Sequence, residues 1–122
     1  MSKNIIFPFN PVSAPRMTRA DSWKKRSCVL RYFEFRDKMQ EVIQANKLEL
    51  PTNICVTFAI EMPKSWSDKK KAKMGGTPHQ NKPDIDNLIK AFLDSFRGDD
   101  AKVSFISASK YWSYKGSITM YY

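Results

Sequence analysis

The sequence predicts an α+β fold: a small mixed β-sheet with two main helices packed on it, in the order β-α-β-loop-α-β-β. Three observations carry this expectation. Residues 53–61 alternate along the chain with a period of two, the pattern of a half-buried strand. Residues 21–46 and 85–96 instead repeat apolar side chains every three or four positions, the pattern of amphipathic helices. Residues 102–112 and 116–122 read as a closing pair of strands.

Taken in order, residues 3–9 form a short apolar run closed by Pro8 and Pro11, which suits a first strand. Residues 10–20 hold Pro11, Pro15, Arg16 and Arg19 and read as a basic loop. The first helix carries its stripe on Tyr32, Phe35, Met39, Val42 and Ile43, with Asp21 or Ser22 as its cap. Pro51 opens the next element. There Ile54, Val56, Phe58 and Ile60 alternate with Cys55, Thr57, Ala59 and Glu61. Residues 63–83 contain Lys64, Lys69, Lys70, Lys71, Lys73 and Lys82, with Gly75-Gly76 and Pro63, Pro78 and Pro83. That composition reads as a mobile basic loop. The second helix sets Ile85, Leu88, Ile89, Phe92 and Phe96 on one face and ends before Gly98. A turn near Lys115-Gly116 joins the closing strands.

A length of 122 residues fits a single domain spanning 1–122. With 42% hydrophobic residues the chain can bury a core, so it is not a disordered basic tail. Its net charge of +9 favours a phosphate-bearing partner. Nucleic acid is preferred to membrane, because the chain has no run of 18 apolar residues and no basic stretch with a clean apolar face. Nor does it begin with a signal peptide's apolar stretch, so a cytoplasmic location is expected. Cys28 and Cys55 are read as reduced, buried thiols. With the lone His79 they lack the spacing of a zinc site, and His79 is read as a loop histidine without a catalytic role.

Within this basic chain, residues 82–90 read Lys-Pro-Asp-Ile-Asp-Asn-Leu-Ile-Lys. Pro83 favours extended backbone before it, so the helix starts just after. Asp84 then falls near the N-cap and Asp86 in the first turn. Each alone is ordinary helix chemistry, a cap or a dipole partner. Together their carboxylates could converge on one divalent cation where the chain turns from extended to helical. Mg²⁺ takes hard oxygen ligands, and Asp99 and Asp100 are further candidates just beyond the helix. An EF-hand loop fails, because Leu88, Ile89 and Ser95 fall where it needs a ligand, a glycine and a glutamate. Lys90 lies one turn after Asp86, at a spacing that allows either an ion pair or a positive charge beside a scissile phosphate. Asp94, a turn further, is expected to pair with Lys90 or to face solvent.

Two stretches are candidate DNA-binding surfaces. The first holds Arg16, Arg19, Lys24, Lys25 and Arg26, with Trp23 among them. The second holds Lys69, Lys70, Lys71, Lys73 and Lys82, with Trp66 nearby. Both can be solvated faces, or can neutralise phosphates and hold a duplex in register. Trp66 could stack on an opened base step or simply pack on the sheet.

The run Lys82-Pro83-Asp84-Ile85-Asp86-Asn87-Leu88-Ile89-Lys90-Ala91, continued by Leu93-Asp94-Ser95-Phe96 and Asp99-Asp100, resembles the signature of the RusA family of Holliday junction resolvases. Pro15-Arg16-Met17-Thr18-Arg19 is similar to the proline-arginine segment of the same family. The resemblance covers most of the chain, and its specificity lies around the aspartate pair. It implies a Mg²⁺-dependent homodimeric endonuclease of phage or prophage type that cuts four-way DNA junctions, with Mn²⁺ as a substitute metal and no small-molecule cofactor. Carried over, the essential set is Asp84, Asp86, Asp100 and Lys90, with Asp99 as the supporting or alternative metal ligand. Only Arg97-Gly98 separate Phe96 from Asp99, fewer residues than family members often have. That shortening leaves open which of Asp99 and Asp100 faces the metal. The leading expectation is paired, symmetric nicking of branched DNA that leaves 5′-phosphate and 3′-hydroxyl ends. The alternatives are a non-catalytic basic nucleic-acid-binding module and a nuclease of other branched DNA. The helices' apolar stripes are candidate dimer surfaces or else core.

Overall fold

The computed structural model describes residues 3–15, 27–96, 98 and 100–122. The expected α+β class is observed: one mixed four-stranded sheet and three α-helices. In chain order the elements are β1 (Asn4–Phe7), α1 (Ser27–Ala45), β2 (Asn53–Glu61), α2 (Asp68–Met74), α3 (Ile85–Asp94), a 3₁₀ turn (Asp100–Lys102), β3 (Phe105–Ser113) and β4 (Ser117–Tyr121). The chain divides into two compact units. One comprises Met1–Pro11, Pro51–Lys82 and Val103–Tyr122, and holds the sheet and α2. The other comprises Val12–Leu50 and Pro83–Lys102, and holds α1, α3 and the 3₁₀ turn.

The sheet order is β1-β4-β2-β3. β2 pairs in parallel with β3, from Asn53↔Phe105 to Glu61↔Ser113, and antiparallel with β4. Parallel neighbours require a long crossover, and residues 62–104 supply it. β3 and β4, read from sequence as a closing pair, are therefore not each other's neighbours. They flank β2 on opposite sides, and β4 also takes β1 as its antiparallel partner. The turn between β3 and β4 admits no side chain at Gly116, where a Cβ would run into the Asn10 Cα. Asn10 is itself fixed there, its Oδ1 accepting the Glu61 N–H at 2.9 Å.

β2 buries Ile54, Val56, Phe58 and Ile60, the set expected from the alternation. β3 lies at the edge of the sheet, and residues 76–79 cover half of it. The Gly76 N–H donates to Trp112 O, the Trp112 N–H to Thr77 O and the His79 N–H to Lys110 O. Pro78, which has no N–H to offer the ladder, sits opposite Tyr111.

In the second unit α1 buries Val29, Tyr32, Phe35, Met39 and Ile43, and α3 buries Leu88, Ala91 and Phe92. Most of both apolar stripes is thus buried within one chain, with Val42, Ile85 and Ile89 half-buried. α1 closes with a left-handed residue, Lys47 at φ 51°, while the Leu48 N–H reaches back to Ile43 O at 2.9 Å. That six-to-one bond satisfies a carbonyl that the helix end would leave open.

One expected loop is partly helical. Residues 63–83, read as a basic loop, contain α2. Ser67 starts it, its Oγ accepting the Lys70 N–H at 3.2 Å. The run of lysines disguised this helix, because it has no buried residue and hence no apolar stripe. Cys28 and Cys55 are free and half-buried. Among the described residues no helix is long and apolar enough to cross a membrane.

Candidate active site

The acidic cluster lies where the sequence places it, at the start of α3. Asp84 has φ −71° and ψ 148°, an extended conformation at the N-cap. Its carbonyl accepts the Leu88 N–H at 3.2 Å and so opens the helical ladder. Its carboxylate, however, makes no capping hydrogen bond. An N-cap aspartate ordinarily spends its side chain on the free N–H groups of the first turn. Here the helix starts without that help, and the charge of Asp84 stays exposed and available.

Asp86 follows in the first turn and is also exposed. Lys90 lies one turn on, and among the described residues no ion pair joins it to Asp86 or Asp94. Leu88, Ala91 and Phe92 point into the core, which fixes the opposite side of the helix. Asp86, Lys90 and Asp94 share that polar side at i, i+4 and i+8.

Asp94 is neither paired with Lys90 nor left to solvent alone. It accepts a hydrogen bond from the Tyr32 hydroxyl at 3.2 Å, linking α3 to α1. Burial, together with the Asp94 carboxylate, pushes the Tyr32 phenol above its ordinary value. The same unit ties in the segment before Arg16: the Ala14 N–H donates to Asn87 O, in the first turn of α3, at 3.2 Å.

Asp100 opens the 3₁₀ turn and is exposed. Asp99 lies outside the described residues. Among the described residues, no three His, Cys, Asp or Glu side chains come together as a metal centre would require. The donor chemistry nevertheless suits a hard cation. Asp84 and Asp86 offer carboxylate oxygens at the helix start, and the carboxylate of Asp84 is not consumed by capping.

Of the basic candidates, Lys69, Lys70, Lys71 and Lys73 lie on α2 and Lys82 is exposed beyond it. Arg16, Arg19, Lys24 and Lys25 lie outside the described residues. Sequence reasoning missed an aromatic column in the sheet-bearing unit. The Lys70 ammonium sits 4.2 Å from the centre of the Trp66 ring. Trp66 packs on Trp112 at 4.8 Å between centroids, and Trp112 packs on His79 at 4.3 Å. Trp66 therefore rests on a sheet residue, the packing alternative named for it. His79 is not a surface loop histidine. It is buried at 3% exposure, and its Nδ1 has no hydrogen-bond partner. Burial, then the nearby Lys110 charge, holds its pKa below the ordinary 6.5. No local signal foretold the column, because its members are 13 to 46 residues apart in sequence (66, 79 and 112).

The sequence matches the family described as Endodeoxyribonuclease RusA over residues 8–120 of 122, and the chain belongs to that family. Membership makes it an enzyme, an endodeoxyribonuclease of the class that resolves Holliday junctions and acts on branched DNA. Nucleases of this family are generally divalent-metal dependent. No curated protein sequence matches the chain.

Proposed function

We propose that this protein is a Mg²⁺-dependent resolvase that makes paired nicks in four-way junctions at the start of α3. The observation that carries this reading is the uncapped carboxylate of Asp84, beside Asp86 and within a chain of net charge +9. Asp84 and Asp86 hold the cation, and Asp100 or Asp99 completes the set. A bound Mg²⁺ supplies charge neutralisation at the scissile phosphate and a water of lowered pKa. Lys90 adds a fixed positive charge for the oxyanion that develops in the transition state. Lysines on α2, with Arg16, Arg19, Lys24, Lys25 and Lys82, neutralise the DNA backbone and orient it. Hydrolysis leaves a 5′-phosphate and a 3′-hydroxyl. Symmetric nicking of a junction needs two sites facing two strands, which a C2 homodimer supplies.

Asp84→Asn and Asp86→Asn test this directly. Junction binding is measured in EDTA and cleavage in Mg²⁺, with flap, linear duplex and RNA alongside. Binding persists in both variants while junction cleavage collapses. Cleavage near the parent's rate in either variant would falsify the assignment.

A further inference from the structure

α2 carries four lysines in seven residues, and the structure does not treat them alike. Lys70 is folded back over Trp66, and the column beneath it runs through Trp112 to His79. The base of that column is rigid. Trp112 is buried and bonded on both backbone groups to Gly76 and Thr77. Lys70 is also the residue whose N–H the Ser67 cap receives. Lys71 is half-buried, and its carbonyl takes the Gly75 N–H that ends the helix. Lys69 and Lys73 are the remaining pair. They are exposed, one turn apart on the same side of α2, and no acidic partner meets either among the described residues.

Like charges one turn apart weaken a helix. An anion held between them turns that repulsion into attraction. A polyphosphate backbone is the partner that offers such an anion repeatedly along one line. We infer that Lys69 and Lys73 are the phosphate-contacting pair of α2, and that Lys70, its ammonium held over Trp66 of the Trp66–Trp112–His79 column, makes no phosphate contact. This rests on the DNA-binding reading above and deepens it. Four apparently equivalent lysines divide into two that touch the nucleic acid and two that do not.

The test is the salt dependence of binding to a four-way junction, measured in EDTA so that no strand is cut. Each lost phosphate contact lowers the slope of log K against log salt by about 0.9. Lys69→Ala and Lys73→Ala are each expected to lower it by about that amount, and the double variant by about 1.8. Lys70→Met and Lys71→Ala leave the slope within about 0.3 of the parent's, well under one phosphate contact. Lys70→Met also changes the tryptophan emission of the free protein, because its ammonium leaves the Trp66 ring. Lys38→Ala, in the exposed ion pair with Glu34 on α1, is the control for mere loss of charge. Slopes that fall equally for all four α2 lysines, or that stay unchanged for Lys69 and Lys73, overturn the division. A parent protein that binds no junction, or binds with no salt dependence, overturns the underlying DNA reading instead.

Discussion

Replacing Asp84 by alanine separates a helix cap from a catalytic carboxylate. An N-cap aspartate that bonds the first turn stabilises its helix by about 0.5–2 kcal/mol. That contribution is missing here, because the Asp84 side chain makes no such bond. What remains is the attraction of an exposed charge to the helix N-terminus, about 0.3–1 kcal/mol at low salt. Relief of repulsion from Asp86 offsets part of it. The expected loss of stability is therefore below about 1 kcal/mol, and it shrinks further as salt screens the dipole. Cleavage behaves differently. A metal's stabilisation of transition-state charge is worth several kcal/mol, and each 1.4 kcal/mol is about tenfold in rate. Loss of the metal-holding carboxylate should slow junction cleavage by about a hundredfold to a thousandfold or more. Urea denaturation at low and high salt gives the first quantity, and single-turnover cleavage on the same preparation gives the second. A variant destabilised by 2 kcal/mol or more, yet cleaving within tenfold of the parent, would refute the reasoning: Asp84 would then be a cap.

Four further outcomes follow from the same geometry. Tyr32→Phe removes the donor that occupies Asp94, freeing that carboxylate to pair with Lys90 at i, i+4. Such pairs are worth about 0.3–0.5 kcal/mol, so kcat should fall about twofold with junction affinity unchanged, and the same change in an Asp94→Asn background should have no effect. His79 is neutral in the fold, with its pKa held below 6.5 by burial and Lys110, so the unfolded chain takes up the proton more readily. Stability is complete above about pH 6.5 and is lost as the pH falls towards the lower folded pKa; His79→Gln should flatten the urea midpoint between pH 7 and 5, and parallel curves would count against the assignment. Phe92 is wholly buried in α3, and Phe92→Ala should lose about 3–5 kcal/mol in equilibrium unfolding. Gly116→Ala would drive a Cβ into the Asn10 backbone, and about 1–3 kcal/mol of destabilisation by the same measurement is expected.

The elements legible in the sequence were those with an apolar face. β2 was readable from its period of two, and α1 and α3 from stripes at three and four, because burial imposes those patterns on the chain. Asp84 and Asp86 were legible for a local reason: Pro83 sets the helix start, and the two acids straddle it. Three features were not legible, each for want of a local signal. α2 buries nothing, so its helix rests on a serine cap and on backbone bonds instead of hydrophobic spacing. The separation of β3 from β4 depends on both choosing β2, a pairing made across the whole crossover. The burial of His79 depends on Trp112, far along the chain. The third carboxylate illustrates the same limit. Asp100 stands in a 3₁₀ turn that helical spacing cannot project, and the short Arg97-Gly98 link gives no period to extrapolate.

The strand order also sets a timetable for biosynthesis. β1 leaves the ribosome first, but the strand that holds it, β4, comes last, with Asn4 opposite Tyr121. β2 likewise waits for both of its neighbours, because β3 and β4 lie beyond the stretch that carries Asp84, Asp86 and Lys90. Contacts this distant in sequence form slowly and late. The carboxylate helix is thus translated before any strand of the sheet can find its mate. A nascent chain that already bears the acidic residues has no assembled sheet, so cutting activity should arrive all at once, with β4.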